Sequence, residues 1–253
     1  MEILIYFLIF LFGLVVGSFL NCVIYRLEIG ESFLTGRSYC PYCKHTLALE
    51  DLIPIFSFLI LKGKCRYCKK PISWQYPLVE LATGILFVLI LNYAFPNLLV
   101  TGYWLLITLF LIIIFVYDLK YYIIPDKIIY PAVAVTFLYR LFAPHQSWWG
   151  VGFGILPSVF FLAIIIFSRG KWMGLGDFKL AFFMGLFLGW SKILVALFFS
   201  FLIGAIIGLG LVLSGKKRLQ SEVPFGPFLV TGTFISLFWG QNIINWYLNF
   251  LII

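Results

Sequence analysis

Charged side chains are what this sequence has least of. Only 18 Lys and Arg and 10 Asp and Glu occur among 253 residues, 11% in all, where a soluble domain is about a quarter charged. That scarcity excludes an ordinary soluble globular domain. The two histidines lie far apart and no H-E-x-x-H pattern exists, which removes the commonest metalloprotease signature. Internal repeats and low-complexity tracts are absent beyond the apolar bias itself. The first apolar run, Ile3 to Ile24, is preceded by no basic segment and followed by no A-x-A site, so it does not read as a signal peptide.

What the chain does have is apolar length. Hydrophobic residues make up 63% of it, with a mean hydropathy of +1.07. Runs close to the ~20 residues that cross a bilayer recur throughout. Spans are expected near 3–24, 77–95, 99–117, 128–143, 151–168, 178–190, 193–214 and 225–250. The expected fold is an all-α polytopic membrane bundle of about eight spans, amino terminus outside. It divides into a first span (1–24), a cytosolic insert (25–76) and a transmembrane core (77–253). With that orientation sixteen of the eighteen Lys and Arg fall on the inside, including Lys216, Lys217 and Arg218, and only Arg140 and Lys192 outside. Such a bias records topology and contact with anionic lipid. The net charge of +8 therefore does not argue for a nucleic-acid partner.

Four of the five cysteines form "CPYC" (Cys40, Cys43) and "CRYC" (Cys65, Cys68). Each C-x-x-C turn brings two thiolates toward one ion, and two such turns complete a tetrahedral zinc site. Disulfides do not persist in the cytosol, where the topology places them. Lys44, Lys64, Arg66, Lys69 and Lys70 crowd the knuckles and are expected to favour thiolates. The insert is too small for a core of its own, so a structural zinc is the expected source of its order. His45 reads as a surface residue and Cys22 as apolar packing within the first span.

Acids near lipid are costly and therefore candidates for function. "FVYDLKYYIIPD" carries Asp118 and Asp126, and "MGLGDFKL" carries Asp177. Two spans, out and back, separate Asp118 from Asp177, which places both at the inner ends of spans. Two carboxyl groups within reach cannot both ionise easily; one keeps a proton while the other activates water. Asp126, after Pro125 and before an apolar run, is expected to cap a helix. Asp118 has no such duty. Asp177 could be a cap as well, but Gly174 and Gly176 would let an extended peptide approach closely. Spacing and topology alone leave the catalytic reading open.

The motifs close that choice by resemblance. "GLGD" (174–177) with "YDLKYYIIPD" (117–126) resembles the type IV prepilin peptidases, which are GxGD intramembrane aspartic proteases. "GSFLNCVIYR" (17–26), both knuckles, "LIPIFSFLILKGKCRYCKKPIS" (52–73), "YPLVELATG" (76–84) and "VPFGPFL" (223–229) are similar to bacterial members across nearly the whole chain. The resemblance implies a catalytic pair at Asp118 and Asp177. It implies prepilin or pseudopilin precursors as substrates, in the bacterial cytoplasmic membrane, with catalytic and zinc sites facing the cytosol. It also implies methylation of the new amino terminus by S-adenosylmethionine. Glu80 and Asn21, polar residues beside the insert, are the expected place for that donor, against a plain interhelical hydrogen bond. The rival readings are a proton-coupled transporter and a non-enzymatic zinc-stapled scaffold for pilus or secretion assembly. A relay would favour acids near the midplane, whereas these lie at span ends.

Overall fold

The computed structural model describes residues 2–32, 35–142, 148–171, 173–215 and 223–251. Among them the regular elements are helices: α1 (Glu2–Ile29), α2 (Phe56–Ile60), α3 (Gln75–Ala94), α4 (Leu98–Tyr121), α5 (Asp126–Phe142), α6 (Trp148–Ser168), α7 (Leu175–Leu188), α8 (Trp190–Leu213) and α9 (Gly226–Leu251), with a 3-10 turn at Leu49–Leu52. Each expected span corresponds to one helix. Five of them, α1, α3, α4, α6 and α8, are long and apolar enough to cross a membrane. α5 and α7 are shorter, at 17 and 14 residues. α9 has the length, but Gln241, Asn242, Asn245 and Asn249 dilute its second half. Lys216, Lys217 and Arg218 lie outside the described residues.

The chain forms two compact units, Met1–Ile113 and Ile114–Ile253, with the boundary inside α4. In the first, α1 and α3 pack almost backbone to backbone. A β-carbon on Gly13 would stand 2.7 Å from Gly84 Cα, and one on Gly17 2.7 Å from Glu80 Cα. Small residues allow this approach where lipid gives helices no hydrophobic reason to associate. Asn21 locks the pair: its Nδ2 donates to the Tyr76 carbonyl at 3.1 Å and to the Gly17 carbonyl at 3.3 Å. The insert hangs from this hairpin. Arg26, buried at the end of α1, donates to the carbonyls of Ser32, Thr35 and Arg37 and gathers the chain that leaves the helix.

In the second unit α7 is the central element. It packs against α5, α6, α8 and α9, and Leu180, Ala181, Phe183 and Met184 have no exposed surface. The far end of α7 is closed by a buried arginine. Arg140 of α5 donates from Nε to the Leu186 carbonyl at 3.0 Å and from a second nitrogen to the Phe187 carbonyl at 2.5 Å. A helix leaves its last carbonyls without partners, and lipid offers none.

Candidate active site and metal centre

Asp118 occupies the last turn of α4 and is 4% exposed. Its own carbonyl accepts the Tyr122 N–H at 2.9 Å, which starts the turn toward α5. Tyr122 takes a positive φ of 59° there. Ile124, buried in that connection, then meets Gly176: a β-carbon on Gly176 would stand 3.1 Å from Ile124 Cβ. The start of α7 is thus pressed onto the chain that follows α4. Asp177 stands in the first turn of α7, half-buried, with its N–H on the Gly174 carbonyl at 3.2 Å and its carboxyl against the Gly174 amide. The Asp118 and Asp177 carboxyls are near enough to act on each other electrostatically.

A third element reaches Asp118. The N–H of Gly226, first residue of α9, donates to Asp118 Oδ2 at 3.0 Å. Phe225 anchors the preceding turn, with its ring 5.1 Å from that of Phe201 and 6.4 Å from that of Phe161.

One local expectation is corrected. Asp126 is not the cap of α5 but its first helical residue. The Pro125 carbonyl takes the Ile128 and Ile129 N–H groups, and Asp126 Oδ1 instead pairs with Lys179 Nζ at 2.6 Å. The two glycines also differ in task. Gly176 makes room for Ile124, whereas Gly174 is exposed in an extended conformation and caps α7. Nothing in the sequence assigns a role to Gly226 or Lys179. The hydrogen bond from Gly226 spans 108 residues, and no local pattern announces a contact of that length.

The four insert cysteines come together. Their Sγ atoms lie within 4.8 Å of one another, with Cys40 and Cys68 3.9 Å apart. A tetrahedron with Zn–S bonds near 2.3 Å has edges of about 3.8 Å, so the donor set fits zinc. The knuckles repeat one another. Cys40 N–H bonds the His45 carbonyl and Cys65 N–H that of Lys70, while Lys44 and Lys69 both return an N–H to the first cysteine with φ near 60°. Burial works against the Cys40 thiolate, but the N–H groups of Cys43 and Tyr42 and the neighbouring sulfurs bring this thiol down to about 7. Cys68 has the Lys70 amide in its favour, yet desolvation and the other three sulfurs push it up to about 11.

The thiolate-favouring groups at Cys40 are therefore backbone amides and neighbouring sulfurs rather than the expected lysines. Lys44 and Lys70 lie over the rings of Tyr39 and Tyr42, and Arg66 pairs with Asp51 at 2.6 Å. His45 stacks on Tyr67 at 3.6 Å between centroids, and Cys22 stands apart beside Ser38.

Glu80 and Asn21 sit together in the first unit. Glu80, 6% exposed on α3, accepts the Ile55 N–H at 2.7 Å and faces the Ser18 hydroxyl. Asn21 has its oxygen engaged by Gln75 as well as its nitrogen by Gly17 and Tyr76.

A family model described as the bacterial peptidase A24 N-terminal domain matches residues 11–94, which hold the cysteines, Asn21 and Glu80. A second, the type IV leader peptidase family, matches residues 105–209, which hold Asp118 and Asp177. The chain is 34% identical to the prepilin leader peptidase/N-methyltransferase of Aeromonas hydrophila, over 96% of this chain and 94% of that one. Against the protein of the same name from Bacillus subtilis it is 35% identical, over 96% and 97%. Against that of Pseudomonas aeruginosa it is 32% identical, over 95% and 92%. No solved structure matches the chain.

Proposed function

As the chain belongs to the type IV leader peptidase family, we propose that it is a multi-pass membrane endopeptidase. It cuts the basic leader from prepilin or pseudopilin precursors at the cytosolic face of the bacterial cytoplasmic membrane and methylates the new amino terminus. The observation that carries the cleavage step is the electrostatic action of Asp118 on Asp177, carboxyls of the last turn of α4 and the first turn of α7, brought within range from helices far apart in sequence. One carboxylate takes a proton from water as it attacks the scissile carbonyl. The other, protonated, gives its proton to that carbonyl oxygen. As the tetrahedral intermediate collapses, the first passes the water proton to the leaving amine and the second recovers its own from the hydroxyl. The Gly226 amide fixes Oδ2 of Asp118 and with it the plane of the carboxyl, and orientation of this kind lowers the barrier before any chemistry begins.

The excess of Lys and Arg on one set of loops supports an amino terminus outside, with the dyad and the cysteine insert facing the cytosol. We divide the chain accordingly into a first span (1–24), the zinc-binding insert (25–76) and the transmembrane core (77–253). Cys40, Cys43, Cys65 and Cys68 hold a structural zinc; four sulfurs close its coordination and leave no position for substrate.

S-adenosylmethionine supplies an electrophilic methyl group. Glu80 suits such a cation, or the new ammonium, because it is a buried carboxylate with neutral donors around it and no ion-pair partner among the described residues. Asn21, fully engaged, holds the first turn of α3 beside it. Incubating purified protein with a prepilin-like peptide, with and without the methyl donor, tests the reading by mass spectrometry. An intact peptide in both cases would refute it.

A further inference from the structure

The segment between the two knuckles carries an apolar face that the cleavage and metal sites do not use. Ile53, Phe56, Leu59 and Ile60 are each between 49% and 75% exposed. Phe56, Leu59 and Ile60 follow the i, i+3, i+4 spacing of one helix face. Phe58, on the other side of α2, is buried against Trp74, with ring centroids 5.0 Å apart. The short helix is therefore apolar on both faces, one turned to protein and one turned outward.

The depth of this face is fixed by a single bond. Ile55 N–H reaches Glu80 Oε2 at 2.7 Å, and Glu80 lies five residues into α3, whose 20 residues are just sufficient to cross a membrane. Five residues of helix are about 7.5 Å. An interfacial element beds about 5–10 Å into the boundary between headgroups and acyl chains. Trp74, exposed at the mouth of α3, is the residue type that marks the membrane surface. Ile55 is held at φ 61° and ψ −49°, a conformation β-branched residues avoid, so the chain is bent sharply where it meets Glu80. Lys62 and Lys64 follow at once and are exposed, with stems long enough to carry their charges back to the surface.

We propose that residues 53–60 form an interfacial finger of the insert, bedded in the bilayer beside α3. Acyl chains cover Ile53, Phe56, Leu59 and Ile60, and Lys62 and Lys64 meet the headgroup phosphates. The finger ties the metal-stapled insert to the membrane plane at a set height, so the insert does not swing freely on its two connections.

The test uses the unaltered chain, reconstituted in phosphatidylethanolamine–phosphatidylglycerol bilayers that contain a lipid with a photoreactive diazirine in its acyl chain. After illumination the labelled residues are mapped by peptide mass spectrometry. The expected result is label on residues 53–60 at a yield within about threefold of that on Leu78, Leu81 and Ile85, the exposed face of α3, with none on residues 40–46 or 65–69. Label on α3 but none on 53–60 would overturn the proposal. Loss of the 53–60 label on adding a saturating prepilin-like precursor would also overturn it, by assigning the face to the substrate's apolar helix. Neither outcome depends on whether peptide cleavage is observed.

Discussion

Gly226 and Asp118 are joined by one hydrogen bond, 3.0 Å from amide to carboxyl oxygen, and separated by no spare volume. A β-carbon at position 226 would stand 2.5 Å from Asp118 Oδ2 and 3.0 Å from its Cγ. The "VPFGPFL" stretch thus belongs to the acid site although it carries no acid, base or nucleophile.

Gly226→Ala should therefore swing the Asp118 carboxyl away from its position without touching its charge. Displacements of about an ångström can lower rates by about 100-fold, and a fall of that order in precursor cleavage is expected at normal membrane abundance. Steady-state kinetics on solubilised protein reads it. A rate within about twofold of the unaltered protein would show that the contact does not orient the acid.

Asp118→Asn and Asp177→Asn should each abolish cleavage by orders of magnitude, since an amide can neither take the proton nor give it. Asp126→Asn should keep most activity. Its carboxylate is exposed and paired with Lys179, and such pairs contribute about 0–1 kcal/mol. A dead Asp126→Asn beside an active Asp118→Asn would reverse the assignment.

Purified protein should contain about one zinc per chain by elemental analysis, as one tetrahedral tetrathiolate site requires. Cys40→Ser or Cys65→Ser should remove the ion and open residues 35–75 to proteases, while Cys22→Ala should retain it. The sign of the pH effect follows from the thiols. Zinc takes thiolates, so protons compete, and chelator should strip the metal faster at about pH 6 than at about pH 8. Full zinc in a variant lacking all four knuckle cysteines would disprove the site.

Glu80→Gln separates the two chemistries. Glutamine still offers Ile55 an acceptor oxygen, so the contact at 2.7 Å survives while the negative charge goes. Methylation of an already cleaved peptide should fall at least about tenfold, the loss of a charge-assisted interaction worth about 1.5 kcal/mol or more, with cleavage of precursor nearly unchanged. Equal loss of both would make Glu80 a packing residue alone.

The sequence disclosed what depends on local pattern. Span length and the C-x-x-C turns are such features, and the cysteines meet as their spacing implies. Contacts made between distant segments by backbone groups stayed hidden. The Gly226 amide and the Ile55 amide leave no mark in side-chain identity, because any residue other than proline carries an N–H. Asp126 misleads for a related reason. Its neighbours fit a cap, but Lys179, fifty-three positions away, competes for the carboxylate. The basic residues of the knuckles likewise lie near the sulfurs in sequence, whereas aromatic rings hold Lys44 and Lys70 and Asp51 holds Arg66.

The length of α7 has a bearing on how water reaches the reaction. Fourteen residues make a rod of about 21 Å, some 9 Å short of a hydrocarbon layer of about 30 Å. Four longer helices pack against it, so its sides meet protein rather than lipid. The Arg140 guanidinium takes the free carbonyls at one end. Asp177, in the first turn at the other end, is only half-buried, so the acid end of this short rod is the one that water can touch.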